Sequence, residues 1–251
     1  MKKILDIVYG EFPQQQAIDL YLPEAESFPM FVYFHGGGLE NGSRKGEAHV
    51  AEYLAARGIA VALVEYRMYP SAVYPDFVRD AARAVAWVFK NIQNYGKCEH
   101  IYVGGSSAGG YLSMMLCFDK RWLAPYKIAP EQIAGYVHDA GQPTCHFNVL
   151  RERGIDSRRV MIDDSAPLYH IGAAETYAPM LFIVSDNDMP GRYEQTKLVM
   201  ATLKHFGYDP EKIELKEMHG GHCAYVGARD ENGDSVLGKI VADYIEKIEN
   251  K

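Results

Sequence analysis

The chain has 251 residues, 48% of them hydrophobic and 24% charged, and a formal net charge of −7. That balance excludes a disordered tail, a collagen-like chain and a coiled coil, and the length suits one large α/β domain or, less readily, two small ones; no repeat or linker divides the sequence, so a single domain over residues 1–251 is expected. No basic stripe invites nucleic acid or an anionic membrane, and no apolar run approaches the roughly 20 residues of a spanning helix.

At the N-terminus, Asp6 and Glu11 interrupt any signal-peptide core, so a cytoplasmic protein is expected. Ile4–Tyr9 and Ala17–Leu22 read as a hairpin at a sheet edge. Met30–Phe34 is a buried strand that runs into His35-Gly36-Gly37-Gly38. Val50, Leu54 and Ala55 fall on one helical face, which Gly58 stops, and Ile59–Val64 is the next strand. Phe77, Ala81, Val85, Val88 and Ile92 recur at intervals of three and four, the signature of an amphipathic helix ended by Gly96. Ile101–Val103 leads straight into Gly104–Gly110 and a helix bearing Leu112, Met115 and Leu116.

Ile133–Val137 and Met180–Val184 are further strands. Residues 141–170 between them are irregular and charged, and are expected as a small lid over one end of the sheet. A helix with Val199, Leu203 and Phe206 on its inner face ends at Gly207. Ile213–Met218 is the last strand, and Ile240, Tyr244 and Ile248 mark the inner face of a closing helix. Strands alternating with helices imply a mostly parallel sheet covered on both faces. Cys98, Cys117, Cys145 and Cys223 lack CxxC spacing and read as free thiols.

Gly105-Ser106-Ser107-Ala108-Gly109 is a G-x-S-x-G between a strand and a helix, the setting of a nucleophile held on a strained turn. Ser107 is preferred over Ser106 because glycines flank it at both two-residue positions. A glycine-rich turn without chemistry is the plainer reading of that motif taken alone. The absence of a following Lys-Ser/Thr pair argues against a phosphate loop. The helix that begins at Ala108 would aim its amide and positive dipole end at a developing oxyanion, and the amides of Gly36 and Gly37 could join it.

A serine nucleophile needs a base and an orienting acid, in the chain order Ser, Asp, His. Ser185-Asp186-Asn187-Asp188 and His219-Gly220-Gly221-His222 each follow a strand and each contain a rival pair. The loop pattern favours Asp188, and the two glycines before His222 favour it as the base; Asp186 and His219 remain the alternatives. A zinc site at the two histidines lacks helical spacing and supporting cysteines, so neither metal nor cofactor is expected.

These residues resemble an α/β-hydrolase of the hormone-sensitive-lipase-like carboxylesterase group. His35-Gly36-Gly37-Gly38, Tyr66-Arg67-Met68-Tyr69-Pro70, Tyr74-Pro75, Asp80, Trp87 and Gly105–Gly110 carry the likeness, with Ser106 where the group has an acid. The resemblance implies catalysis by Ser107, Asp188 and His222, oxyanion donation by Gly36, Gly37 and Ala108, and a bracing role for His35. Strand patterns near residue 1 lead to the expectation of a protein without that group's long N-terminal helical cap, similar in this to compact acetyl and feruloyl esterases and to arylformamidases.

The expected activity is therefore hydrolysis of a small-molecule carboxylic ester through an acyl-enzyme, with short-chain, acetyl or aryl esters as substrates. Amide hydrolysis is the alternative, and a non-catalytic binding protein on the same fold is a further one. Tyr111, His146, Phe147, Tyr169 and His170 are candidates to line the pocket.

Overall fold

A computed structural model describes residues 1–250. In chain order the elements are β1 (Lys2–Val8), β2 (Ala17–Leu22), β3 (Ser27–Phe34), α1 (Ala48–Ala56), β4 (Ala60–Val64), α2 (Asp76–Asn91), β5 (Lys97–Ser106) and α3 (Ala108–Phe118). They continue as β6 (Gly135–Asp139), α4 (Phe147–Glu152), β7 (Met180–Asn187), α5 (Arg192–His205), β8 (Ile213–Gly221) and α6 (Val236–Glu249). The eight strands form one sheet in the order β1-β2-β4-β3-β5-β6-β7-β8. β1 and β2 are the antiparallel hairpin expected at the edge, β2 joins β4 antiparallel, and every pair from β4 onward is parallel.

The central strands are apolar throughout because both their faces are covered. Met30, Val32 and Phe34 of β3 point to one side with Ala60, Ala62 and Val64 of β4, against Phe77, Ala81 and Val85 of α2 and Leu112 and Met115 of α3. Phe31, Tyr33, Val61 and Leu63 point to the other side, against Val50 and Leu54 of α1 and Leu237, Val241 and Ile245 of α6. This is the α/β-hydrolase architecture: a mostly parallel sheet between two helical layers.

Several local expectations shift. β6 lies two residues later than predicted, because His138 and Asp139 stay in the sheet although they are polar. α6 turns Leu237, Val241, Ala242 and Ile245 inward beside Tyr244, leaving Ile240 and Ile248 at the margin. Phe206 caps α5 and is exposed; Thr196, Val199 and Leu203 form that helix's inner face. The segment 141–170 is more ordered than an irregular lid. It contains α4 and is tied to the body: Tyr111 donates to the Ser165 carbonyl, Asn148 to the Gly38 carbonyl, and the Tyr74 amide to Glu152. All four cysteines are free. No described helix is long and apolar enough to cross a membrane.

Candidate active site

The C-terminal ends of β3, β5, β7 and β8 deliver the candidate residues to one cleft, as expected for an open parallel sheet. Between β5 and α3, Ser107 adopts φ +55° and ψ −111°, a conformation that costs a non-glycine residue about 1–3 kcal/mol. The turn closes because Gly109 lacks a side chain: a Cβ there would lie 1.9 Å from the Phe34 carbonyl oxygen. The Ser107 amide donates to the Asp139 carbonyl at 2.7 Å, and the Ser107 carbonyl accepts the first helical bond from Tyr111.

His222 stands just beyond β8. Its Nε2 accepts from the Ser107 hydroxyl at 2.8 Å, and its Nδ1 donates to Asp188 Oδ1 at 2.5 Å. Asp188 also accepts the amides of Met189 and Ser185. Burial would raise its carboxyl, but the His222 hydrogen bond and charge, with the two amides, outweigh that and hold it below the ordinary carboxylate value. The Ser185 hydroxyl ties the two loops together through the Gly221 carbonyl at 2.9 Å. Ser107, Asp188 and His222 thus form one hydrogen-bonded chain. Asp186 and His219 meet each other instead, at 2.6 Å on the exposed rim.

The glycine loop lies against the elbow: a Cβ on Gly36 would be 3.3 Å from Ser107 Cβ. Gly37 sits at φ +118°, and a side chain there would strike the Asn41 carbonyl at 1.9 Å. Among the described residues, the amides of Gly36, Gly37 and Ala108 have no hydrogen-bond partner. His35 turns away from Ser107. Its Nε2 meets Glu65 at 3.0 Å, its carbonyl accepts from Tyr66 at 2.9 Å, and its ring stacks on Tyr66. Glu65 in turn pairs with the buried Arg44.

The cleft has a volume of about 640 Å³. Phe147, Met189 and Val226 supply apolar wall; Glu47, Asn41 and Ser43 supply polar wall. Of the residues expected to line it, Phe147 does. Tyr111 and His146 are buried, Tyr169 is exposed, and His170 lies elsewhere. No motif marks Glu47 or Met189, and Cys223, a free thiol by its spacing, carries no signal that places it in the cleft. Among the described residues no group of His, Cys, Asp and Glu is arranged to hold a metal.

The family described as BD-FAE matches residues 18–124, the stretch from β2 through the elbow and α3. Over 110 residues the chain is 37% identical to a probable isoprenylcysteine α-carbonyl methylesterase of Oryza sativa subsp. japonica, which covers 43% of this chain and 26% of the relative. Over 130 residues it is 31% identical to a kynurenine formamidase of Danio rerio, covering 51% and 42%. The match therefore spans less than half of these relatives. Esterase B from Lactobacillus rhamnosis superposes with a TM-score of 0.80 over 99% of this chain and 85% of that one, at 17% identity, a likeness of fold. The chain thus has the α/β-hydrolase fold, and its residues 18–124 are similar to the BD-FAE family.

Proposed function

We propose that the protein is a serine hydrolase of the hormone-sensitive-lipase-like kind that cleaves small carboxylic esters with short-chain, acetyl or aryl groups. The observation that carries this reading is the continuous chain Ser107–His222–Asp188 beside unpaired amides at Gly36, Gly37 and Ala108.

In this mechanism Ser107 Oγ attacks the acyl carbonyl as its proton passes to His222 Nε2. Asp188 keeps the Nδ1–H tautomer and stabilises the imidazolium. The tetrahedral oxygen faces the amides of Gly36, Gly37 and Ala108, each contributing on the order of 3 kcal/mol of barrier lowering. His222 then protonates the leaving alcohol, and water, deprotonated by the same ring, releases the acid. Every proton in this sequence moves through His222.

The likeness to a kynurenine formamidase favours amide cleavage as the second reading. A panel of esters graded in acyl length, with matched amides and N-formylkynurenine, separates the two. Ser107→Ala is the control and must abolish turnover. Turnover surviving that substitution overturns the assignment, and faster cleavage of the amides than of the matched esters selects the second reading.

A further inference from the structure

Behind the nucleophile lies a buried carboxylate that the mechanism above does not use. Asp139 closes β6 and pairs in parallel register with Ser106 of β5. Its Oδ2 accepts from the Ser106 hydroxyl, which itself accepts from Tyr33 at 2.8 Å. Its Oδ1 accepts from the Tyr225 hydroxyl, and its main-chain carbonyl accepts the Ser107 amide. Ser106 immediately precedes the nucleophile, and Tyr225 lies three residues beyond His222. One residue therefore touches both the strand end that carries Ser107 and the loop that carries the imidazole.

We propose that Asp139 is a positioning residue for the Ser107–His222 pair, fixing their spacing through Ser106 and Tyr225 and placing a second negative charge behind the imidazolium. This rests on the serine-hydrolase reading of the site.

The chemistry of the contacts requires a carboxylate. Ser106 and Tyr225 both donate, and Asp139 is the sole hydrogen-bond acceptor for either hydroxyl among the described residues. An asparagine offers one acceptor oxygen and would turn its NH2 toward the other hydroxyl. Such a site is costly to keep: burial lifts the Asp139 carboxyl to about 6, against the lowering effect of the two hydroxyl bonds and of His222. The titratable groups that face it are His222, Cys223 and Tyr225 on the loop after β8, Asp188 after β7, and Tyr33 on β3 through Ser106. Glu47 and the buried Arg192 act on the same cluster through Cys223. A fold needing only a filled space there would be served by apolar side chains at lower cost.

The test is the rate of fluorophosphonate labelling at Ser107, read by mass spectrometry between about pH 5 and 9, with the melting temperature measured beside it. Asp139→Asn is expected to slow labelling by roughly 10–100-fold and to move the acidic limb to lower pH, because a lost negative charge destabilises the imidazolium. Tyr225→Phe leaves the charge in place and is expected to lower the maximal labelling rate several-fold with probe affinity unchanged. If the parent labels and the Asp139→Asn limb coincides with it, the inference is overturned even where the melting temperature falls. If Asp139→Asn does not fold, Tyr225→Phe decides, and an unchanged maximal rate overturns the inference. A parent protein that never labels at Ser107 overturns the hydrolase reading instead.

Discussion

The Asp186 carboxylate meets the His219 ring at 2.6 Å, while just past the ends of β7 and β8, two and three residues further along the chain, the same pairing recurs between Asp188 and His222 at 2.5 Å. The strands register Ser185 with Met218 but Asn187 with Gly221, so β8 carries one residue more than β7 across this stretch. Such a bulge re-aims side chains. It sends His219 to solvent and brings His222 onto Ser107.

That separation makes the two acid–base pairs independently testable. Asp188→Asn and His222→Ala should each lower kcat by roughly 10³–10⁴-fold, as loss of the tautomer-fixing acid or of the base does in such sites. Asp186→Asn and His219→Ala, on the exposed rim, should stay within about threefold of the parent. Steady-state kinetics on p-nitrophenyl acetate decides, and a larger loss for the rim pair rejects the assignment.

The same residues show where sequence reading succeeds and where it stops. Gly105–Gly109 and His35–Gly38 were legible because their backbone demands are local: a strained serine and close main-chain approaches need glycines at fixed offsets. The loop patterns favour Asp188 and His222, but what brings that pair rather than Asp186 and His219 to Ser107 is a one-residue bulge that no composition reveals. Asp139 and Tyr225 carry no motif, and become neighbours of Ser106 only through strand register and the turn after β8. In helix α6 the expected Tyr244 is buried, but Leu237, Val241, Ala242 and Ile245 complete the inner face, while Ile240 and Ile248, whose hydrophobicity alone would place them inward, sit at its margin.

Gly109 couples the elbow's geometry to stability. Gly109→Ala places a methyl group at 1.9 Å from the Phe34 carbonyl, and both partners are main chain in regular elements, so neither can yield cheaply. The expected cost exceeds about 3 kcal/mol in urea unfolding, with loss of labelling at Ser107. A variant with parental stability and rate would show that α3 shifts without penalty.

Glu47 bears on which esters enter. It lines the cleft and has no hydrogen-bond partner among the described residues, and burial holds its carboxyl above the ordinary value. In its ionised form it favours a cationic group over a neutral one of the same shape. Glu47→Gln should lower the kcat/KM ratio of a choline ester over its 3,3-dimethylbutyl isostere by roughly 3–10-fold. An unchanged ratio removes Glu47 from substrate selection.

Acid stability turns on His138, which is fully buried on β6 among Tyr136, Phe118 and Phe182, with its Nδ1 bonded to Ser113 at 2.9 Å. Burial drives its imidazole down to about 3, and burial likewise drives His146 well below its ordinary value. The folded value lies below the unfolded one. The neutral ring's contribution is therefore fully present above about pH 6.5 and is lost as the pH falls toward 3, at about 1.4 kcal/mol per pH unit for each ring. Asp139 works the other way: its carboxyl is raised to about 6, so the native state gains a proton there before the unfolded chain does. Between about pH 4 and 6 the two histidines outweigh the one carboxyl, and stability should fall with acid. His138→Phe loses the Ser113 bond, a nearly pH-independent cost of about 1 kcal/mol, but removes one proton from the balance. Urea unfolding of the variant should show a slope of stability against pH smaller by about 1.4 kcal/mol per unit over that range. A slope equal to the parent's would mean that the native protein protonates His138 as readily as the unfolded chain does.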